Sequence, residues 1–134
     1  MEQEQMQQLQ QLQQQMQDIQ EYLTTLEETK EEVSQSREAV NNIEDVEPGT
    51  EILAPLGSGA YVVAEVKETN NVISEVGGDT FEKRSNEDAA KVLEKQEDLI
   101  EETSEDLEER LQQMQQQMQQ LQQQAQQQQQ NQPE

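Results

Sequence analysis

Residues 9–40 read LQQLQQQMQDIQEYLTTLEETKEEVSQSREAV, and the spacing of the apolar letters sets the architecture. Leu9, Leu12, Met16, Ile19, Leu23 and Leu26 follow alternating steps of three and four, and the series runs on through Lys30, Val33, Arg37 and Val40. With Leu9, Met16, Leu23, Lys30 and Arg37 at heptad position a, the d positions are Leu12, Ile19, Leu26, Val33 and Val40. A stripe this narrow suits a coiled-coil seam better than the broad apolar face of a globular helix. The residues between are mostly Gln, Glu and Lys, which are good helix formers. About forty residues of helix span about 60 Å at a rise of 1.5 Å each. Pro48 and Gly49 stop the helix near Glu47, which predicts a first helix over 4–46.

A second helix mirrors the first. Ser85 or Asn86 can cap it, and Glu87 and Asp88 suit the positive end of its dipole. Its seam reads Ala90, Leu93, Glu97, Ile100, Ser104, Leu107, Leu111, Met114, Met118, Leu121 and Ala125, which predicts a helix over 86–125. Beyond Ala125 the stripe ends, and 126–134 reads as a disordered Gln-rich tail. Two matched heptad helices bury their seams most simply by folding back into an antiparallel hairpin. The polar seam positions Lys30 and Arg37 then fall near Glu97 and Ser104. Either base can face Glu97 and fix the register, or both can snorkel to water.

The segment between the helices, 47–85, holds all five Gly and two of the three Pro. Strands are expected over Glu51–Leu56, Ala60–Lys67, Asn71–Val76 and Thr80–Arg84. Gly57-Ser58-Gly59, Thr69-Asn70-Asn71 and Gly77-Gly78-Asp79 punctuate them. The reading is two successive β-hairpins forming a small sheet with an apolar face and two open edges. Such a sheet is marginal alone and asks for a partner.

Composition bounds the chemistry. The chain has 134 residues, a net charge of −22, 30% hydrophobic residues and 2% aromatic ones. Roughly a fifth is Gln, several times average usage. Too few large apolar residues are present for an ordinary single-chain core. With no His and no Cys, the usual metal ligands, imidazole bases and thiol nucleophiles are missing. Gly57-Ser58-Gly59 lacks the Lys and following helix of a phosphate loop. The expectation is no enzyme, no cofactor and no metal. Strong acidity disfavours nucleic acid and anionic membrane as partners. The N-terminus shows no basic-then-apolar leader, and no apolar run of membrane-spanning length occurs, so the expected location is cytoplasmic.

At this point the chain resembles an archaeal prefoldin alpha subunit. The resemblance rests on the order helix, two hairpins, helix. It rests also on Ile52-Leu53-Ala54-Pro55-Leu56-Gly57-Ser58-Gly59-Ala60-Tyr61-Val62 and on Val72-Ile73-Ser74-Glu75-Val76-Gly77-Gly78. Two hairpins rather than one point to the alpha class. The fold implied is α+β: an antiparallel coiled-coil hairpin with two inserted β-hairpins that join a shared barrel in the oligomer. The resemblance implies a hexamer of two alpha and four beta subunits, so a second alpha subunit and prefoldin beta subunits are the expected partners. It implies an ATP-independent holdase that takes unfolded client proteins at its coiled-coil tips and passes them to a group II chaperonin. The excess of Glu over Lys further points to a halophilic archaeon.

Two residue sets follow. The expected oligomerisation surface is Ile52, Leu53, Leu56, Tyr61, Val62, Val63, Val66, Val72, Ile73, Val76 and Phe81. The expected client-binding tips are Met6, Leu9, Leu12, Met16, Ile19, Leu111, Met114, Met118 and Leu121, where flexible, polarizable Met adapts to varied apolar partners. The tip residues also fit as ordinary seam residues, except Met6, which lies off the heptad. The competing reading is a structural coiled-coil oligomerisation or tethering module without client binding. A plain tether needs only a short turn between its helices, not forty residues of strands.

Overall fold

The computed structural model describes residues 3–130. The elements run α1 (Gln3–Asn42), a 3-10 turn (Ile43–Asp45), β1 (Glu51–Gly57), β2 (Ala60–Glu65), β3 (Asn71–Gly77), β4 (Thr80–Ser85) and α2 (Asn86–Gln130). The chain divides into two units. One holds residues up to Lys30 together with those from Leu99 onward, and the other holds Glu31–Asp98 with both hairpins.

In the first unit, the expected heptad positions of both helices are withdrawn from solvent, with Gln5 and Thr103 half-buried beside them. Leu9, Leu12, Met16, Ile19, Leu23, Leu26 and Lys30 are half-buried on α1, as are Ile100, Ser104, Leu107, Leu111, Met118 and Leu121 on α2. Met114 and Ala125 are buried. The helices run antiparallel: Leu12 shares a groove with Leu121, and Ile19 shares one with Met114. Lys30 Nζ lies 3.8 Å from Glu101, a solvated pair that contributes about 0–1 kcal/mol.

The helix does not end at Ala125. It continues to Gln130, so 126–130 are helical rather than disordered. Gln is a good helix former, and no breaker occurs before Pro133. The rest of the expected tail, 131–134, lies outside the described residues.

In the hairpin unit, Val33, Arg37 and Val40 of α1 and Ala90, Leu93 and Glu97 of α2 continue the half-buried stripe. Arg37, not Lys30, faces Glu97: Arg37 Nε lies 3.1 Å from Glu97 Oε1. This contact is an ion pair without hydrogen-bond alignment, since that oxygen has no directed donor. The Glu97 side chain is only 13% exposed, so the arginine compensates a largely desolvated carboxylate.

The α1 helix stops earlier than Glu47 because the chain tightens into the 3-10 turn, where Val46 N–H bonds Ile43 C=O at 3.1 Å. Glu47-Pro48-Gly49-Thr50 then reverses the chain. Thr50 N–H donates to Glu47 C=O at 3.1 Å, and Gly49 takes φ +93°. Pro and then a left-handed Gly define a type II turn.

The four strands do not form one sheet. β1 pairs only with β2, and β3 only with β4, both antiparallel. Past the β1–β2 hairpin, Gly49 and Thr50 bond Val66 at 2.7 and 2.9 Å. The backbone at Thr69 and Asn70 is then claimed by α2 rather than by a neighbouring strand: Asn86 N–H donates to Asn70 C=O at 3.2 Å, and Asn86 Nδ2 donates to Thr69 C=O at 2.6 Å. β2 ends at Glu65, two residues before the expected Lys67, because the chain opposite it leaves the ladder beyond Glu51 for the Pro48-Gly49 turn.

The two hairpins are built alike at an offset of twenty residues. Each has a bulge, between Pro55 and Gly57 or between Glu75 and Gly77. Each closes on two left-handed residues, Ser58-Gly59 or Gly78-Asp79. Paired positive φ at a two-residue loop is the turn whose twist matches the flanking strands.

Ser85 is the helix cap, its Oγ accepting from Asp88 N–H at 3.2 Å. Asn86 plays a different part. It is 4% exposed and ties the loop to α2, with Glu44 Oε1 within 3.4 Å of its Nδ2. Asn86→Ala strands the buried Thr69 carbonyl and should destabilise the chain by about 1–3 kcal/mol, read as a lowered urea midpoint at unchanged m-value.

Candidate functional site

Two surfaces carry the expected functional residues. The first is the pair of hairpins. Directly opposed residues of an antiparallel pair share a face. In the first hairpin, Leu53 opposes Val63 and Pro55 opposes Tyr61 on one face, while Ile52 opposes Ala64 and Ala54 opposes Val62 on the other. Beyond the opposed carboxylates Glu51 and Glu65 at the open end of the hairpin, both faces are therefore apolar. Ile52, Leu53, Leu56, Tyr61, Val62 and Val63 are exposed in the single chain, as are Ile73, Val76 and Phe81 of the second hairpin. Val66 and Val72 are half-buried. The exposed apolar side chains are thus concentrated on the first hairpin.

The second hairpin is different in kind. Ile73 opposes Lys83, Glu75 opposes Phe81, and Val72 opposes Arg84, so charge is interleaved with apolar side chains on both faces. β4 carries Glu82, Lys83 and Arg84 in succession, and charge on a strand edge discourages further pairing there. Lys83 hydrogen-bonds Glu68 and holds its carboxyl below the usual range, with a smaller contribution from Asn71. A lowered carboxyl favours the folded hairpin above its ordinary value, and acidification through the folded-state value removes that contribution.

The second surface is the paired helix ends, 3–19 with 111–130. Leu9, Leu12, Met16, Ile19, Leu111, Met118 and Leu121 line its seam at half burial, and Met114 is buried within it. Met6 stands apart at 50% exposure. Gln8, Gln11, Gln15, Gln117, Gln120 and Gln124 border the shallow groove around Leu12 and Leu121. Two exposed apolar residues of the helices lie outside both expected sets, Tyr22 and Leu99. Their signal in the sequence is an apolar letter off the heptad. Among the described residues, no group of acidic side chains is arranged to hold a metal ion, and no helix is long and apolar enough to cross a membrane.

Helix, two bulged hairpins and helix, with apolar hairpin faces open to a neighbour, define a subunit of a coiled-coil assembly. The sequence matches the family described as Prefoldin subunit over residues 3–131, and the chain belongs to that family. Within it the similarity is to archaeal alpha subunits. Prefoldin subunit alpha of Halorubrum lacusprofundi is 42% identical over 73 residues, 54% of this chain and 48% of that protein. The Halobacterium salinarum and Pyrococcus horikoshii proteins of the same name are 37% and 35% identical, over 52% and 55% of this chain and 46% and 51% of theirs. The aligned stretch thus spans about half the length of these relatives. The fold is that of a chain in the filamentous PFD of Methanocaldococcus jannaschii, at a TM-score of 0.76 and 21% identity, over 82% of this chain and 91% of that one.

Proposed function

We propose that this chain is the alpha-type subunit of an ATP-independent holdase, which assembles through its hairpins and receives unfolded polypeptides along the paired helix ends. The observation that supports this reading most is the first hairpin, which beyond the Glu51–Glu65 pair is apolar on both faces and leaves Ile52, Leu53, Tyr61, Val62 and Val63 exposed. A strand pair of that kind has its core completed by other subunits, and a tether would not need it. A second alpha subunit and beta subunits supply that cover in the proposed two-alpha, four-beta hexamer. Clients then pass to a group II chaperonin, with neither nucleotide nor cofactor consumed by the subunit.

The helix ends suit capture because their side chains adapt. Met6, Met16, Met114 and Met118 are unbranched thioethers beside Leu9, Leu12, Ile19, Leu111 and Leu121, and a seam that opens at its ends presents them to an apolar segment. Mixed with a matching beta subunit, the chain should run at hexamer mass by native mass spectrometry and suppress the light scattering of a diluted, denatured client. A mass unchanged by the partner counts against the assembly. A hexamer that leaves scattering unaltered assigns the chain to the structural tether instead.

A further inference from the structure

Charge is zoned along the paired helices. Residues 3–17 and 111–130 comprise 25 Gln, nine aliphatic or Met residues and one carboxylate, Glu4, with no base. Residues 18–30 and 99–110, within the same unit, hold ten carboxylates and two bases. The change falls at Asp18 on α1 and at Arg110 on α2. These residues are far apart in sequence, yet both border the groove that also holds Ile19 and Met114. The change from acid to amide therefore occurs at one level of the folded hairpin. It is a property of a place in the structure and not of a single low-complexity run.

Gln and Glu serve a solvated helix face about equally well by propensity, so helix formation does not account for the change. Electrostatics separates the two. An acidic surface attracts a basic polypeptide and repels an acidic one. Extending the acidic coat over the amide arm would aid the capture of basic clients. Withdrawing it removes the Coulomb barrier only for clients of the chain's own sign. We propose that the amide arm is a neutral docking surface for unfolded polypeptides that are themselves acidic, held by apolar side chains at the seam and by amides that both donate and accept hydrogen bonds. This rests on the reading that clients are captured at these helix ends.

The test uses the assembled complex and two synthetic, permanently unfolded polypeptides. They share the same apolar residues and carry net charges of about −15 and +15, so that screening acts on them equally and oppositely. Gln13, Gln17, Gln117 and Gln120 are exposed and are changed together to Glu. At about 50 mM KCl the unaltered complex should bind both polypeptides. The Glu variant should lose at least about tenfold in affinity for the acidic one, tighten on the basic one, and recover in about 2 M KCl, where charge is screened within a few ångströms. Changing the same four residues to Lys should reverse both shifts, so a poorly folded Glu variant does not decide the matter alone. Acidic-client affinity unmoved by either set overturns the proposal. So does an unaltered complex that binds only the basic polypeptide, which leaves the holdase reading standing. A complex that binds neither polypeptide defeats the holdase reading itself, and the neutral arm with it.

Discussion

Asp at Leu53 and Val63 together should drop the native mass from that of the assembly toward the 15.5 kDa of one chain, with helix content by circular dichroism unchanged. The two residues are directly opposed across β1 and β2 and are 65% and 62% exposed in the isolated subunit. The single chain therefore tolerates carboxylates there, since water already covers the site. An assembly that covers this face does not. Each carboxylate taken out of water without a partner costs several kcal/mol, and about 1.4 kcal/mol changes an association constant tenfold. Because two like charges opposite each other also strain the hairpin itself, each single substitution, Leu53→Asp and Val63→Asp, should show the same loss of assembly with one charge. The unaltered helical signal separates lost assembly from lost fold. A double variant that keeps the full native mass would show that this face is not an interface. The equivalent change at Ile73 should weaken assembly less, since there the new carboxylate lies directly opposite Lys83, which can pair with it.

The helical half of this architecture is legible in the letters because a seam is written as a period. The half-buried residues of α1 fall on Leu9, Leu12, Met16, Ile19, Leu23 and Leu26, as the steps of three and four require. The hairpin turns are legible too, since Gly57-Ser58-Gly59 and Gly77-Gly78-Asp79 supply residues that accept positive φ. Three features are not written locally. Whether two hairpins join into one sheet depends on where the linking backbone finds its hydrogen bonds, and here Asn86 takes Thr69 and Asn70. The choice of Arg37 over Lys30 as the partner of Glu97 depends on a register that a repeating heptad leaves open. The continuation of α2 past Ala125 depends on propensity alone once the seam has ended. The apolar residues of the hairpins were identifiable as a set, but a single sequence does not say that the first hairpin is apolar on both faces. That statement needs the pairing of Leu53 with Val63 and of Ala54 with Val62.

Deleting residues 1–14 and 118–134 should abolish suppression of client aggregation and leave the oligomer assembled. The deletion removes Met6, Leu9 and Leu12 from one helix and Met118 and Leu121 from the other. It takes most of the amide arm and leaves both hairpins whole. Enough seam stays to hold the helices together, because Met16, Ile19, Leu23 and Leu26 remain on α1 and Ile100, Leu107, Leu111 and Met114 on α2. The proposed assembly surface, Leu53, Val63 and their neighbours, is not touched. The proposed capture surface lies largely on the deleted residues, and each apolar side chain withdrawn from a client contact forfeits about 1.5–3 kcal/mol. Loss of even two such contacts weakens client binding by about a hundredfold. The measurement is light scattering of a diluted client at increasing chaperone concentration, beside native mass spectrometry of the same samples. The shortened complex should keep its subunit count and leave scattering at the level of the client alone. Full suppression by the shortened complex would move the capture surface off these helix ends and toward the residues that remain, with exposed Tyr22 and Leu99 as the first apolar side chains to substitute.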